Sequence, residues 1–267
     1  LVPTGLVIAQ NDFGTAIIFI AIIPVILFWS GLPYGVALLM ISPAIILYLS
    51  VFDWTYGAMA LGVLTIAVFF IQKSKWLTLV SLVMGTGTIA AVHFALSNVL
   101  QPHQVARIIA FTNPSYDPTG AGWNVIQAKT AIGSGGWLGK GFLEGTQTQL
   151  RFLPEQWTDF IFCVVGEEFG FLGASILIIV FMLFLLRLLH LSINHKHPFA
   201  QLVTLSVASV YFMHFFINVG SATALLPVIG IPLPFISYGG SAFIANTLML
   251  AICLNLDLYK REFSIYS

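Results

Sequence analysis

This sequence predicts an all-α fold, a polytopic bundle of transmembrane helices with one long extracytoplasmic loop, and three observations carry that prediction. Of its 267 residues only 7% are charged and 58% are hydrophobic, whereas a water-soluble domain carries about 25% charged residues; the mean hydropathy is +0.97. The apolar residues gather into runs of about 20, the length that crosses a hydrocarbon core of ~30 Å. The polar residues gather between those runs, chiefly in one segment, 99-160.

The runs that qualify as spans are 13-30, 33-51, 55-71, 76-97, 161-189, 199-222 and 240-258, seven in all, and residues 1-9 read as the tail of an eighth. The chain opens at Leu1-Val2-Pro3 without an initiator Met or the basic start of a signal peptide, so it reads as a fragment lacking the N-terminal helices. Connections such as Gly31-Leu32 and Phe52-Asp53-Trp54 are so short that the helices they join must run antiparallel. No repeat of fixed period and no low-complexity tract interrupts the chain, and residues 1-267 read as a single membrane domain.

Sidedness follows from the basic residues. Lys73 and Lys75, Lys196, and Lys260 with Arg261 occupy short connections or the end of the last helix, which by the positive-inside rule are cytoplasmic. Counting spans outward from them brings residues 10-12, 99-160 and 223-239 together on the extracytoplasmic side. The ten basic and ten acidic residues cancel, which leaves no field to attract nucleic acid. Cys163 and Cys253 lie in or beside apolar runs and read as small core residues, neither a disulfide nor a metal pair.

The segment 99-160 holds four basic residues (Arg107, Lys129, Lys140, Arg151) and four acidic ones (Asp117, Glu144, Glu155, Asp159). It also carries Trp123, Val125, Ile126, Ile132, Trp137, Leu138, Phe142, Leu150 and Phe152, too apolar a set for a disordered connector, so an ordered cap packed on the helices is expected. Within it the run Gly133-Ser134-Gly135-Gly136-Trp137-Leu138-Gly139-Lys140-Gly141 fails the Walker pattern, because position 134 is Ser and Lys140 is followed by Gly. Two readings stay open for these glycines: close backbone approach to a phosphate or sugar, with Lys129 and Lys140 supplying charge, or tight turns alone.

Asp159 stands where the polar run Leu153-Pro154-Glu155-Gln156-Trp157-Thr158 meets the helix expected from 161. It reads either as the helix N-cap or as a general base, and the two compete: capping lowers the pKa that burial against Trp157, Phe160 and Phe162 raises. Glu167 and Glu168 lie one to two turns further on, at a depth where an ionisable group is by default functional. In a continuous helix about 12 Å of rise and about 80° of rotation separate Glu167 from Asp159, so they form no close pair. Asp12, in the polar break Gln10-Asn11-Asp12-Phe13-Gly14-Thr15, is either a helix cap or a partner acid on the same side. The segment 223-239, with Pro227, Gly230, Pro232, Pro234 and then Ser237-Tyr238-Gly239-Gly240-Ser241, is no regular helix and is expected to line a cavity or lie buried in protein. His195 and His197 flank Lys196 in a turn and read as solvated.

Three separated blocks carry a resemblance. Gln10-Asn11-Asp12-Phe13-Gly14-Thr15, the stretch from Asp117-Pro118 through Ala131-Ile132-Gly133-Ser134-Gly135-Gly136 to Thr158-Asp159-Phe160-Ile161-Phe162 and Glu167-Glu168, and Pro232-Leu233-Pro234-Phe235-Ile236-Ser237-Tyr238-Gly239-Gly240-Ser241 are similar to the shape, elongation, division and sporulation (SEDS) family of bacterial membrane glycosyltransferases. Gly230-Ile231-Pro232-Leu233-Pro234-Phe235 is nearer its elongation (RodA-type) branch than its division branch. Asn11 stands where the family has Pro, and two extra spans precede the long loop.

The resemblance implies an inverting glycosyltransferase that polymerises lipid II, an undecaprenyl-pyrophosphate-linked disaccharide pentapeptide, into peptidoglycan at the outer face of the bacterial cytoplasmic membrane, for elongation and cell shape. It implies that Asp159 is the catalytic base. The substrate-binding candidates are Asp12, Lys129, Lys140, Glu167, Glu168, Ser237, Gly239 and Gly240, and Trp123, Trp137 or Trp157 are candidates to stack on sugars. Countercharge for the departing pyrophosphate falls to Lys129, Lys140, Arg107 or a divalent cation, Mg or Mn, with no protein metal site expected. The implied partners are lipid II, membrane lipids and a class B penicillin-binding transpeptidase. A lipid II flippase and a scaffold for wall synthases are the alternatives; a flippase places its polar groups near mid-membrane, and the runs 33-51, 55-71 and 240-258 lack interior charge.

Overall fold

The computed structural model describes residues 2-10, 12-120, 122-150 and 152-259. Among the described residues the regular structure is entirely helical: α1 (Val2–Ala9), α2 (Phe13–Trp29), α3 (Tyr34–Phe52), α4 (Trp54–Gln72), α5 (Lys75–Phe94) running on into a π turn Ala95–Val99, α6 (Pro102–Thr112), α7 (Trp123–Ser134), α8 (Thr146–Gln149), α9 (Ile161–Asn194), α10 (Pro198–Ala222) and α11 (Gly240–Leu258). Six stretches, those of α3, α4, α5 with its π turn, α9, α10 and α11, are long and apolar enough to cross a membrane; α2 is as apolar but has 17 residues. The chain is a multi-pass helical membrane protein; among the described residues six of the seven expected runs are helices of spanning length, and the run 13-30 forms the shorter α2.

The chain divides into two compact units, 1-22 with 114-267, and 23-113. The boundary at 113/114 falls inside the segment 99-160, which therefore does not behave as one body: α6 belongs with α3–α5, and the remainder belongs with α9 and α10.

In the 23-113 unit, α3, α4 and α5 form an antiparallel up-down-up group. Asp53 makes the first turn tight by accepting from Thr55 N and Thr55 Oγ1, both at 2.8 Å, and Lys73 takes a left-handed conformation (φ 50°) to end α4 before Ser74 caps α5. Small residues set the helix spacing: Gly57 lies against Ser50 and Gly85 against Leu61 and Ile46, the close approach on which membrane helices depend where water drives nothing together. The amphipathic α6 opens with a capping box between Gln101 and Gln104 and packs Phe111 against Tyr48 and Phe52.

In the other unit, α9 and α10 share a core in which Phe181 and Phe215 stack at 4.6 Å and the Tyr211 hydroxyl donates to Asn246 O of α11 at 2.6 Å. Cys163 and Cys253 are free and fully buried, as core residues should be. The outward faces stay apolar, with Ile179, Val180, Leu183 and Leu186 of α9 all exposed; lipid, unlike water, imposes no penalty on them.

Two expectations fail. His195 is buried, because the turn folds inward to let Gln201 Nε2 donate to its carbonyl at 2.6 Å, and His197 is spent as the cap of α10, accepting from Phe199 N. Secondly, α9 is not continuous. Gly170 has φ 66° and ψ −164°, so the helix breaks there. Asn11, Arg151, Lys260 and Arg261 lie outside the described residues.

Candidate functional site

The break in α9 explains the glycine cluster. A broken helix frees backbone groups that must find partners inside the bilayer or at its rim, and the chain from 136 to 141 supplies them. Lys140 N and Gly141 N donate to Glu167 O and Glu168 O at 3.0 and 3.1 Å, while Phe171 N and Leu172 N donate to Gly136 O and Trp137 O at 2.8 and 3.1 Å. Backbone lies against backbone so closely that a Cβ on Gly135 would meet Gly166 O, one on Gly139 would meet Glu168 O, and one on Gly170 would meet Gly139 N. The close approach foreseen for these glycines thus occurs, but toward α9 itself. Gly139 also takes φ 82°, a conformation that L side chains resist.

Glu167 locks the same junction. It is fully buried, and its Oε1 accepts from Lys140 Nζ (2.7 Å), Gln147 N (2.9 Å), Thr146 Oγ1 (3.3 Å) and Ser134 Oγ (3.5 Å), while Oε2 accepts from Thr148 N (3.0 Å) and Thr148 Oγ1 (2.7 Å). Its acceptor capacity is filled by protein, and it holds the 140-148 stretch onto α9. Lys140 donates to Thr146 Oγ1 as well, so its ammonium is engaged within the loop. Neighbouring Glu168 is buried, and its Oε1 has no hydrogen-bond partner among the described residues. Lys129 behaves differently: on α7 the buried face is Val125, Ala128 and Ala131, packed toward Phe160, Phe162 and Cys163, and Lys129 is exposed beside it.

Asp159 is half-buried in the turns before α9. It does not cap that helix, since the N-cap is Phe160 with no side-chain cap bond. Asp159 N instead donates to Glu155 O at 3.0 Å, which holds the residue in the preceding turn. Its carboxylate faces Gly230: a Cβ there would stand 3.3 Å from Asp159 Oδ2. The backbone leading into it is fastened carbonyl by carbonyl, with Tyr238 N donating to Trp157 O (2.8 Å), Ser237 Oγ to Thr158 O (2.6 Å) and Asn218 Nδ2 to Asp159 O (3.0 Å).

The third block is therefore the wall against which Asp159 is built. Ser237 serves it through its hydroxyl, which also accepts from Leu233 N at 2.7 Å. Gly239 is the N-cap of α11 and Gly240 its first residue, with open space where a side chain would lie on Gly240; the first-turn N–H groups that follow lack intrahelical acceptors. The segment 223-239 is irregular, as its prolines require.

Asp12 is a cap. Thr15 N donates to its Oδ1 at 3.0 Å and Thr15 Oγ1 to its Oδ2 at 2.6 Å, and the hydroxyl bond first, the amide second, hold its pKa below the ordinary carboxylate value. The first block reaches the site through Gly14, where a Cβ would stand 2.7 Å from Ile229 Cγ2. Ile229, Gly230 and Ile231 thus pass between the start of α2 and Asp159.

Of the tryptophans, Trp123 donates to Phe152 O at 2.9 Å and knits the loop, whereas Trp137 and Trp157 are exposed. Sequence reasoning missed Asn218 and Thr148. A buried Asn inside an apolar span was the available signal for the first; nothing local distinguishes Thr148.

Known proteins resemble this chain over most of its length. Residues 35–262 match the FtsW/RodA/SpoVE family described as cell cycle proteins. The chain is similar to the peptidoglycan glycosyltransferase RodA of Treponema pallidum, 34% identical over 289 aligned positions covering 94% of this chain and 65% of that protein. It is similar to the peptidoglycan glycosyltransferase MrdB of Escherichia coli K12, 33% identical over 262 positions covering 98% and 59%. A probable peptidoglycan glycosyltransferase FtsW of Trichlorobacter lovleyi is 35% identical over 201 positions, covering 75% and 51%. The chain thus spans between about half and two thirds of the length of these relatives. A solved chain described under "Structural coordination of polymerization and crosslinking by a peptidoglycan synthase complex" superposes with a TM-score of 0.51 at 26% identity, covering 85% of this chain and 68% of that one. Because the family match runs over residues 35–262 and relatives at 33–34% identity cover nearly the whole chain, this chain belongs to the FtsW/RodA/SpoVE family.

Proposed function

We propose that this chain carries the catalytic part of a peptidoglycan glycosyltransferase that polymerises lipid II, with Asp159 as general base. The observation that carries the reading is the seat of Asp159: three successive carbonyls at 157-159 are pinned by donors from α10 and the 237-238 turn, and the carboxylate stands beside Gly230, where a Cβ would come within 3.3 Å of Oδ2. Such rigidity in a half-buried acid at the rim of a membrane helix suits a group that must meet one hydroxyl in one orientation.

In the reaction, Asp159 takes the proton of the acceptor sugar's 4-hydroxyl as its oxygen bonds to the donor anomeric carbon. The bond from that carbon to the pyrophosphate oxygen breaks with inversion, and undecaprenyl pyrophosphate leaves with the electron pair. Lys129, exposed and in no ion pair among the described residues, is the cation we assign to that leaving group. Lys140 and Glu167 are assigned to holding the loop, for their charges are directed at each other. A divalent cation, Mg or Mn, would arrive on the substrate's pyrophosphate and add countercharge there; among the described residues no three of His, Cys, Asp and Glu come together to hold one.

The active side is the extracytoplasmic face of the cytoplasmic membrane, a placement supported by the basic connections at Lys73, Lys75 and Lys196. A class B penicillin-binding transpeptidase is the proposed partner, supported by the likeness to a chain of a peptidoglycan synthase complex.

The test is the full-length protein reconstituted with lipid II. Asp159→Asn should lower the rate of glycan formation by about 10²- to 10⁴-fold, the usual worth of a general base. Undiminished polymer from that variant would remove Asp159 as base, and transport of lipid II across vesicles without polymer would favour a flippase.

A further inference from the structure

Of the three donors that hold 157-159, two come from the turn after Pro234, and one of these is a main-chain amide that any residue except proline would supply. Asn218 differs from both. It lies inside α10, fully buried, in a helix whose composition is that of a membrane span. A primary amide in such a place is costly unless it is hydrogen-bonded; its Oδ1 has no partner among the described residues, but its two amide protons are both used, Nδ2 donating to Asp159 O at 3.0 Å and to Ile231 O at 2.8 Å. The orientation is compelled, because turning the amide over would set Oδ1 against two carbonyl oxygens.

The two acceptors are what give the contact meaning. Ile231 adjoins Gly230, whose α-carbon borders Asp159 Oδ2. One carboxamide thus ties together the two stretches of backbone that bound the Asp159 carboxylate, one from the long loop and one from the proline-rich segment. Neither stretch is helical at that point, so no ladder of regular hydrogen bonds fixes their spacing.

We propose that Asn218 is a positioning residue for Asp159, acting by joining the backbone of Asp159 to that of Ile231 and so setting where the carboxylate stands. This rests on the reading of Asp159 as the base. Asn218 touches no reacting atom, and its effect belongs to the chemical step and not to substrate capture: a displacement of about 1 Å in a catalytic group costs about 10²-fold in rate.

The experiment measures kcat and KM for glycan formation from lipid II by the full-length protein in liposomes, together with its thermal midpoint, for wild type, Asn218→Ala, Asn218→Ser and Asp159→Asn. Asn218→Ala is expected to lower kcat by about 10²-fold with KM nearly unchanged. Asn218→Ser keeps one hydroxyl donor on the same side of the helix, one bond short of where Nδ2 stands, and is expected to recover part of that loss at a thermal midpoint no higher than that of Asn218→Ala. Wild-type kcat in Asn218→Ala beside an inactive Asp159→Asn overturns the positioning role and leaves the base intact. An active Asp159→Asn overturns both, since nothing then remains to be positioned. A kcat that merely follows the thermal midpoint across the variants, or failure of both Asn218 variants to accumulate in the membrane, makes Asn218 a packing residue and overturns the proposal.

Discussion

Three acidic residues in this chain have three fates that their identity alone does not distinguish. Glu167 is consumed by protein donors and holds a loop, Asp12 caps a helix, and Asp159 is held by its backbone with its carboxylate beside a glycine. Asp12 allows a quantitative test. Its folded pKa lies below the ordinary carboxylate value because Thr15 donates to both oxygens, so the cap's contribution is fully present above the unfolded pKa and is lost as pH falls through the folded one. Asp12→Ala should cost about 1 kcal/mol at neutral pH. Asp12→Asn should keep most of that stability while removing the part of the acid dependence, below about pH 4, that belongs to this residue. Thermal midpoints measured between pH 3 and pH 7 check both, and an Asn variant whose midpoint falls with acid as steeply as wild type counts against the assignment.

At the scale of the element, the break at Gly170 and the glycine loop are one construction. The 136-141 chain replaces the hydrogen bonds that α9 forgoes, and it can do so only where no side chain intervenes. The cluster therefore divides into glycines that are needed and glycines that are not. Gly133, inside α7 with nothing within 4 Å of a Cβ, should accept Ala with no loss or with a gain of about 0.5–1 kcal/mol from reduced chain entropy. Gly139→Ala should cost at least about 1–3 kcal/mol through its left-handed backbone alone, with the contact against Glu168 O in addition. Detergent melting of the two variants side by side gives the comparison; equal midpoints would sever the loop from the break.

At the scale of the whole molecule, the break also sets how α9 meets the bilayer. From Phe171 to Asn194 the helix runs 24 residues, about 36 Å of rise, enough to span the hydrocarbon core alone. The stub from Ile161 to Phe169 is then left for the site. Leu183 lies near the middle of the spanning part and is exposed, so it faces lipid. Leu183→Lys should cost about 3–4 kcal/mol of insertion free energy and reduce the amount of protein in the membrane. Leu138→Lys, in the exposed loop, should not. Membrane fractionation of the two variants distinguishes them.

The sequence by itself determined the fold class and the places of the long apolar helices, because hydrocarbon demands length and apolarity within a single segment and both can be counted along the chain. It also marked Asp159, Asp12 and Glu167 as acids with something to do. Asp12 finds its donor three residues on, in Thr15, so its cap is local. What holds Asp159 and Glu167 was decided by tertiary structure, because the donors arrive from 59 residues away, Asn218 to the Asp159 carbonyl, and from 19 residues away, Thr148 to the Glu167 carboxylate. Tertiary structure decided the glycines too: a local pattern shows only that backbone can approach closely, and the fold determines that what approaches is the broken helix α9.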